Sequence, residues 1–230
     1  YLNLSVKQDP RLAPKFSGAM RPPVPLATRD QWLMSAGLDR RWGDACQDAA
    51  HALQRCYQKL GLEAARMDPA CDGYDFWTIV DVIVAQGETY SAQGFLNAFW
   101  EPKSNGFTPE EFRAFNGATV LLLKTVPEHR IAVSGERVRA EFWISHYGDQ
   151  ALKHAQLGWS LRADRTVLAQ GACDGGDVAL GSVRALGQAE IVIPELQKPV
   201  QAILEVALTG NAASNQWDFW LFPKRAQQRG

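Results

Sequence analysis

The chain has 230 residues, 24 Lys and Arg against 25 Asp and Glu, and a formal charge of -1; with no Lys/Arg-rich run it carries no electrostatic footprint for nucleic acid. No apolar segment approaches the roughly 20 residues needed to span a bilayer, and the opening YLNLSVKQDP lacks the charged-then-apolar layout of a signal peptide, so a soluble protein with neither membrane nor nucleic-acid partner is expected. The length allows one large domain or two ordinary ones, the residue pattern favours two, and a start in mid-pattern without an initiator Met is expected of a piece of something longer.

Residues 1–27 contain Pro10, Pro14, Pro22, Pro23 and Pro25 and are expected to be ordered loop at best, since PPVP cannot be a helix interior. Thr28 caps a short helix to about Ala36, with Trp32 and Leu33 on its buried side, and Gly37 stops it. From about Asp44 to Met67 the apolar positions Ala45, Ala49, Leu53, Cys56, Tyr57, Leu60, Ala64 and Met67 recur at three and four, which predicts an amphipathic helix pressed on a core. Asp68-Pro69 ends that helix, and Cys71, Asp72 and Gly73 turn the chain onward.

The next stretch, GYDFWTIVDVIVAQGETYSAQGFLNAFWEPK, organises the first half of the chain. Tyr74, Phe76, Trp77, Ile79, Val80, Val82, Ile83 and Val84 form a near-continuous apolar run broken by Asp75, Thr78 and Asp81, which suits a strand covered on both faces, one α/β unit of a parallel sheet. A carboxylate at the end of such a strand, followed by a loop carrying Tyr90, Phe95, Phe99 and Trp100, sits where α/β barrels place their chemistry. The alternative is that Asp81 pins the loop and the aromatics are core.

Thr108, Pro109 and Glu111 form a capping box with Pro at the first helical position, predicting a short helix through Phe115, closed by Asn116-Gly117. Beyond Ala118 the pattern changes to seven short strands: Thr119 to Lys124, Arg137 to Ser145, Ala155 to Arg162, Thr166 to Gln170, Ala185 to Ile193, Val200 to Thr209 and Gln216 to Phe222. Val138, Ala140, Phe142 and Ile144 alternate with Arg139, Glu141, Trp143 and Ser145, the period of a half-buried strand. With turn signals between the strands, this reads as an immunoglobulin-like β-sandwich. Trp217 and Trp220, at odd spacing, point to opposite faces, one of them core and the other a platform or packed edge.

The four cysteines form no CxxC pair and have no His at ligand spacing, so no metal and no cofactor is expected. Cys46 and Cys56 fall on different faces of one helix. His51, His129, His146 and His154 have no acid or Ser partner at a recognisable spacing, and GxSxG, P-loop and dinucleotide fingerprints are missing, which removes serine nucleophile chemistry and nucleotide binding.

Gly73, Tyr74, Trp77 and Asp81, then Gln93-Gly94-Phe95-Leu96, Phe99-Trp100 and Lys103, then Thr108-Pro109-Glu110-Glu111-Phe112 resemble the end of the catalytic barrel in β-galactosidase-like glycoside hydrolases of family 2. The sandwich with its terminal NQWDFWLFP is similar to the β-domain that follows the barrel there. The resemblance implies an α/β fold followed by all-β: residues 1–117 as the C-terminal portion of a TIM (β/α)8 barrel and residues 118–230 as the immunoglobulin-like sandwich. It implies that the ring of Trp77 forms the floor of a sugar subsite beside a non-proline cis Trp77-Thr78 peptide, with Asp81, Gln93 and Trp100 as further substrate-binding residues at the mouth. An ordinary packing role for Trp77 instead predicts a trans peptide and a ring buried on Leu53 or Tyr57. Family members commonly have Asp where this chain has Asn97. The two catalytic glutamates belong to earlier strands, so Glu88, Glu101, Glu110 and Glu111 are not candidates. The implied partners are a carbohydrate substrate and the N-terminal remainder of the barrel, and the chain alone is expected to be inactive. The rival reading is a non-catalytic carbohydrate-binding or interaction module built on the sandwich.

Overall fold

The computed structural model describes residues 9–18, 24–83, 90–126 and 130–224. The chain divides by packing into two units, Tyr1–Leu62 with Gly73–Glu111, and Glu63–Asp72 with Phe112–Gly230. The division after Glu111 precedes the expected boundary at 117 and falls inside a helix.

In the first unit, Pro10–Lys15 forms a 3-10 helix whose start is capped by Asp9, the carboxylate accepting the Arg11 N–H at 2.9 Å. Pro10 is tolerated there because the first helical N–H has no partner to lose. Helix α1 (Val24–Ser35) and helix α2 (Arg40–Met67) follow, so part of what reads as loop is ordered helix. Leu12, Phe16 and Leu26 make a small core, with Phe99 set edge-on to Phe16 at 5.0 Å. Trp32, expected on the buried side, is 75% exposed.

The largest departure is in α2. Along its middle turns the buried side chains are Gln47, His51, Gln54 and Gln58, followed by Leu62 and Glu63 near its end, whereas Leu53 is 50% exposed and Tyr57 and Leu60 are exposed with it. The polar face turns inward because it packs on loop backbone: the Gln54 amide donates to the carbonyl of Ala92 at 2.6 Å and the Gln58 amide to that of Gln93 at 3.0 Å. Buried carbonyls require donors, which apolar side chains cannot supply.

The expected barrel strand is also corrected. Within the described part of the apolar run, Val82–Ile83 (β1) pairs antiparallel with Tyr90–Ser91 (β2), and Val80 makes one parallel bridge to Leu96. No repeated parallel β-α-β arrangement occurs among the described residues, so the first unit is not a portion of a (β/α)8 barrel. An apolar run shows which side chains avoid water; a parallel strand further needs a ladder partner on each side. Ile79, which such a strand would bury, is exposed.

In the second unit, α3 (Pro109–Asn116) contributes Phe115, fully buried. The strands are β3 (Thr119–Val126), β4 (Ile131–Val133), β5 (Arg137–His146), β6 (Gln156–Ala163), β7 (Thr166–Asp174), β8 (Ser182–Val192), β9 (Val200–Leu208) and β10 (Ser214–Phe222). They form a five-stranded sheet ordered β4-β10-β9-β6-β7 and a three-stranded sheet ordered β3-β5-β8. One core lies between them: Val138, Phe142 and Ile144 from one sheet meet Leu157, Leu204, Trp217 and Phe219 from the other. The chain is thus β-rich with a short helical part. The seven expected strands are present, and β4, three residues long and too short for periodicity, joins β10 in parallel. Five strands against three with a parallel edge replaces the expected immunoglobulin-like arrangement of seven antiparallel strands. Trp217 is buried and Trp220 exposed, as their odd spacing requires.

A buried polar cluster ties the last turn of α2 to this unit. The Glu63 carboxylate accepts from the Asn215 amide at 2.7 Å and from the Trp217 indole N–H at 3.0 Å, and the same amide donates to the Leu121 carbonyl at 2.8 Å. Removing the shared acceptor takes a buried partner from both donors. Glu63→Ala is expected to lower the unfolding free energy by about 2–4 kcal/mol, read as a shifted urea midpoint at unchanged slope; a change below about 0.5 kcal/mol would show that the cluster is replaceable by water.

Candidate functional site

The loop after β2 is held by a buried ion pair. Lys103 Nζ lies 2.8 Å from Asp81 Oδ1, both side chains almost wholly buried. The ammonium also donates to Gln54 Oε1 and to the Ala92 carbonyl, each at 3.1 Å, and Asp81 Oδ1 accepts the Gly94 N–H at 2.9 Å. Burial pushes the Asp81 carboxyl up and the Lys103 ammonium down, each opposed by the other's charge. Gly94 is required by the close approach: a Cβ there would fall 2.5 Å from the Asp81 nitrogen and 2.6 Å from the Val80 carbonyl carbon.

A second device shapes the tip of the loop. Asn97 Oδ1 accepts the N–H groups of Phe99 at 2.8 Å and Glu101 at 3.1 Å, and its amide donates to Glu101 Oε2 at 3.1 Å. Asp at this position would set a carboxylate against Glu101, so this chain's Asn is matched to its neighbour. Trp100 at the apex has φ of 64° and is 72% exposed. Lys15 pairs with Glu101 and stands 5.8 Å from the centre of the Phe99 ring.

Of the residues expected to bind substrate, Trp77 is 66% exposed and the Trp77-Thr78 peptide is cis. The peptide is therefore not trans, and the ring is not buried on α2. Asp81 is sequestered in the ion pair and acts on the loop. Gln93 is half-buried, its carbonyl held by Gln58. Phe76 stacks on Phe95 at 4.5 Å, and Phe95 lies 6.3 Å from Phe107. Of the glutamates, Glu101 is tied to Lys15 and Asn97. Glu111 accepts the Thr108 N–H at 2.9 Å, receives Arg55 at 2.6 Å, and donates its own N–H to Thr108 Oγ1 at 3.2 Å, completing the predicted capping box. Glu88 and His129 lie outside the described residues, and no cluster of three potential metal ligands occurs among those described.

Sequence reasoning assigned no role to Gln54 and Gln58, which with Gln47 and His51 recur at four, three and four, a polar stripe as regular as the apolar one beside it. His51 is hydrogen-bonded through both ring nitrogens, Nε2 with the Gln47 amide nitrogen at 2.9 Å and Nδ1 with Ser104 Oγ at 2.7 Å. Arg11 reaches the same Ser104 hydroxyl at 2.9 Å and Asp48 at 2.7 Å.

Lys103→Met would leave a buried carboxylate unpaired and is expected to cost about 3–5 kcal/mol, while the double variant with Asp81→Asn recovers part of that loss; additive losses in a double-mutant cycle would refute the coupling. Burial, then the charge of Lys103, holds the His51 pKa below its ordinary 6.5, with Arg11 adding to this and Asp9 and Asp48 opposing it. The unfolded chain therefore takes up the proton first as pH falls. Stability linked to His51 is complete above about pH 6.5 and is lost as pH drops below it toward the folded-state pKa. Urea midpoints from pH 8 to 5 should decline over that window, less steeply in His51→Gln; identical profiles would refute it.

A family model described as a domain of unknown function, DUF8488, matches residues 136–223, which cover β5 through β10. No curated protein matches. Among solved structures, the Amycolatopsis orientalis exo-chitosanase CsxA aligns at 11% identity over 77% of this chain and 19% of its own, with a TM-score of 0.43. The Pseudomonas fluorescens alkylpurine DNA glycosylase AlkC aligns at 14% identity over 46% and 30%, TM-score 0.35. The Listeria innocua β-glucosidase aligns at 14% identity over 45% and 16%, TM-score 0.32. The chain spans less than a third of each of these proteins, and at these scores the likenesses carry no argument.

Proposed function

We propose that this chain is part of a retaining glycoside hydrolase of the β-galactosidase-like family 2, in which Trp77 offers the floor of a sugar subsite and Trp100 a further aromatic wall. The observation that carries the reading is the exposure of these two indoles on a segment and loop that buried polar groups hold in place. A large apolar ring normally goes to the core; here the surrounding sequence spends Asp81, Lys103, Gln54, Gln58 and Asn97 on fixing backbone while leaving the rings in solvent. A pyranose presents a face of C–H bonds with partial positive charge, and an indole face is its electrostatic complement. Asp81 and Gln93 act behind the site, through the loop.

Retention needs an acid/base and a nucleophilic carboxyl about 5–5.5 Å apart. Glu101, Glu111 and Asp81 are committed to Lys15, Arg55 and Lys103, which supports placing both catalytic carboxylates in another part of the parent polypeptide. This piece would orient the sugar ring; the nucleophile would attack the anomeric carbon while the acid protonates the departing oxygen.

The second reading, a non-catalytic binding or interaction module, is favoured by the exposed row of Trp220, Phe222 and Ile131, where Trp220 pairs in register with Ile131 on the five-stranded sheet.

The test is tryptophan fluorescence titration of the chain with a panel of pyranosides. Trp77→Ala is expected to weaken the best ligand about 2- to 10-fold, Trp220→Ala to leave it unchanged, and the chain alone to release no nitrophenol from nitrophenyl glycosides. Binding lost with Trp220→Ala and kept with Trp77→Ala would install the second reading, and turnover by the chain alone would refute the assignment of the carboxylates elsewhere.

A further inference from the structure

Trp100 stands in solvent with φ of 64°, a left-handed backbone that a bulky side chain keeps only where its surroundings over-determine it. Asn97 encloses it: the Trp100 N–H donates to the Asn97 carbonyl at 3.0 Å and the Asn97 N–H to the Glu101 carbonyl at 2.8 Å, in addition to the bonds of the Asn97 side chain. Leu96 bridges Pro102 antiparallel just outside this turn. These contacts set the shape of the turn itself. Its attachment to the segment before α1 comes from two consecutive residues. Lys15, the last residue of the 3-10 helix, meets both carboxylate oxygens of Glu101 and stands over the Phe99 ring. Phe16, buried, sets its ring edge-on to Phe99 in the core that holds Leu12 and Leu26. Residues 15 and 16 thus grip the two neighbours of Trp100 and leave its own side chain outside. At the start of the same helix Arg11 bonds Ser104 Oγ and Asp48, so the element that presents Lys15 is itself fixed to the loop and to α2.

We propose that Lys15 and Phe16 are positioning residues, which hold the Trp100 indole in place for a sugar ring; the role rests on the reading of Trp100 as a wall of the subsite. A pyranose stacked on an indole gains from the contact only while the ring stands at the right height and angle, and a turn free to swing must be ordered on binding at a cost in affinity. The Lys15 and Glu101 side chains are 43% and 45% exposed, and ion pairs so placed add little to folding stability. Removing the Lys15 cation therefore loosens the turn and weakens sugar binding while leaving the stability of the chain unchanged. A merely structural contact would show no such separation.

The experiment uses the full 230-residue chain, with the methyl β-pyranosides of galactose, glucose and mannose as probes. Lys15→Met is expected to speed backbone amide exchange across residues 97–102 and to weaken the best-bound probe about 2- to 5-fold, at an unchanged urea midpoint. Lys15→Arg, which keeps the cation, should restore both, and Phe16→Leu, which removes the ring edge, should act in the direction of Lys15→Met. In a Trp100→Ala background Lys15→Met should weaken binding no further, because Lys15 acts through that indole. Unchanged exchange in Lys15→Met, a loss that Lys15→Arg does not restore, or losses additive with Trp100→Ala would overturn the proposal. Faster exchange in Lys15→Met together with binding indifferent to Trp100→Ala would refute the subsite reading, and with it the part given to Lys15, while the hold on the turn stands.

Discussion

The buried contact between Asp81 and Lys103 is the constraint on which the first unit depends. Each ion brings further polar groups with it: Asp81 takes the Gly94 N–H, and Lys103 takes Gln54 and the Ala92 carbonyl. Taking two charges out of water is costly and their attraction offsets this only with good geometry and satisfied neighbours, so the pair adds little net stability. Its effect is to reject other arrangements. Sliding the loop by one residue would leave a buried charge and an open carbonyl together, which confines the backbone that carries Trp100.

The two faces of α2 follow from that constraint. A helix lying over irregular backbone must bring donors, and glutamines at spacings of three and four supply them. The apolar residues are then left on the outside, where burial worth roughly 25 cal/mol per Å² is still to be gained. The last turn meets a different need: Glu63 serves indole and amide donors of β10, so one helix uses polar contacts at both stages of its course.

Aromatic side chains divide accordingly. Phe115, Phe142, Trp217 and Phe219 fill the β unit, where alternation along a strand decides inside from outside. Trp77 and Trp100 stand on non-repetitive backbone, where no periodicity assigns a face and only the positions of the pinned groups do.

The sequence by itself determined what local chemistry controls. The Thr108–Glu111 capping box, the existence of α2 from the spacing of its residues, the inward set Val138, Ala140, Phe142 and Ile144 of β5, and the opposed directions of Trp217 and Trp220 were all legible, because each depends on neighbours within a few residues. Tertiary structure alone decided which face of α2 is buried, since its polar and apolar stripes are equally periodic and the choice rests on the Ala92 and Gln93 carbonyls far away in sequence. It decided that Asp81 faces Lys103, because a carboxylate carries no mark of the cation it will meet. It also decided that the apolar run around Val80 does not become a barrel strand, and that β4 completes the five-stranded sheet: strand pairing is a property of two segments, and three residues such as Ile131–Val133 become a strand when β10 offers them an edge.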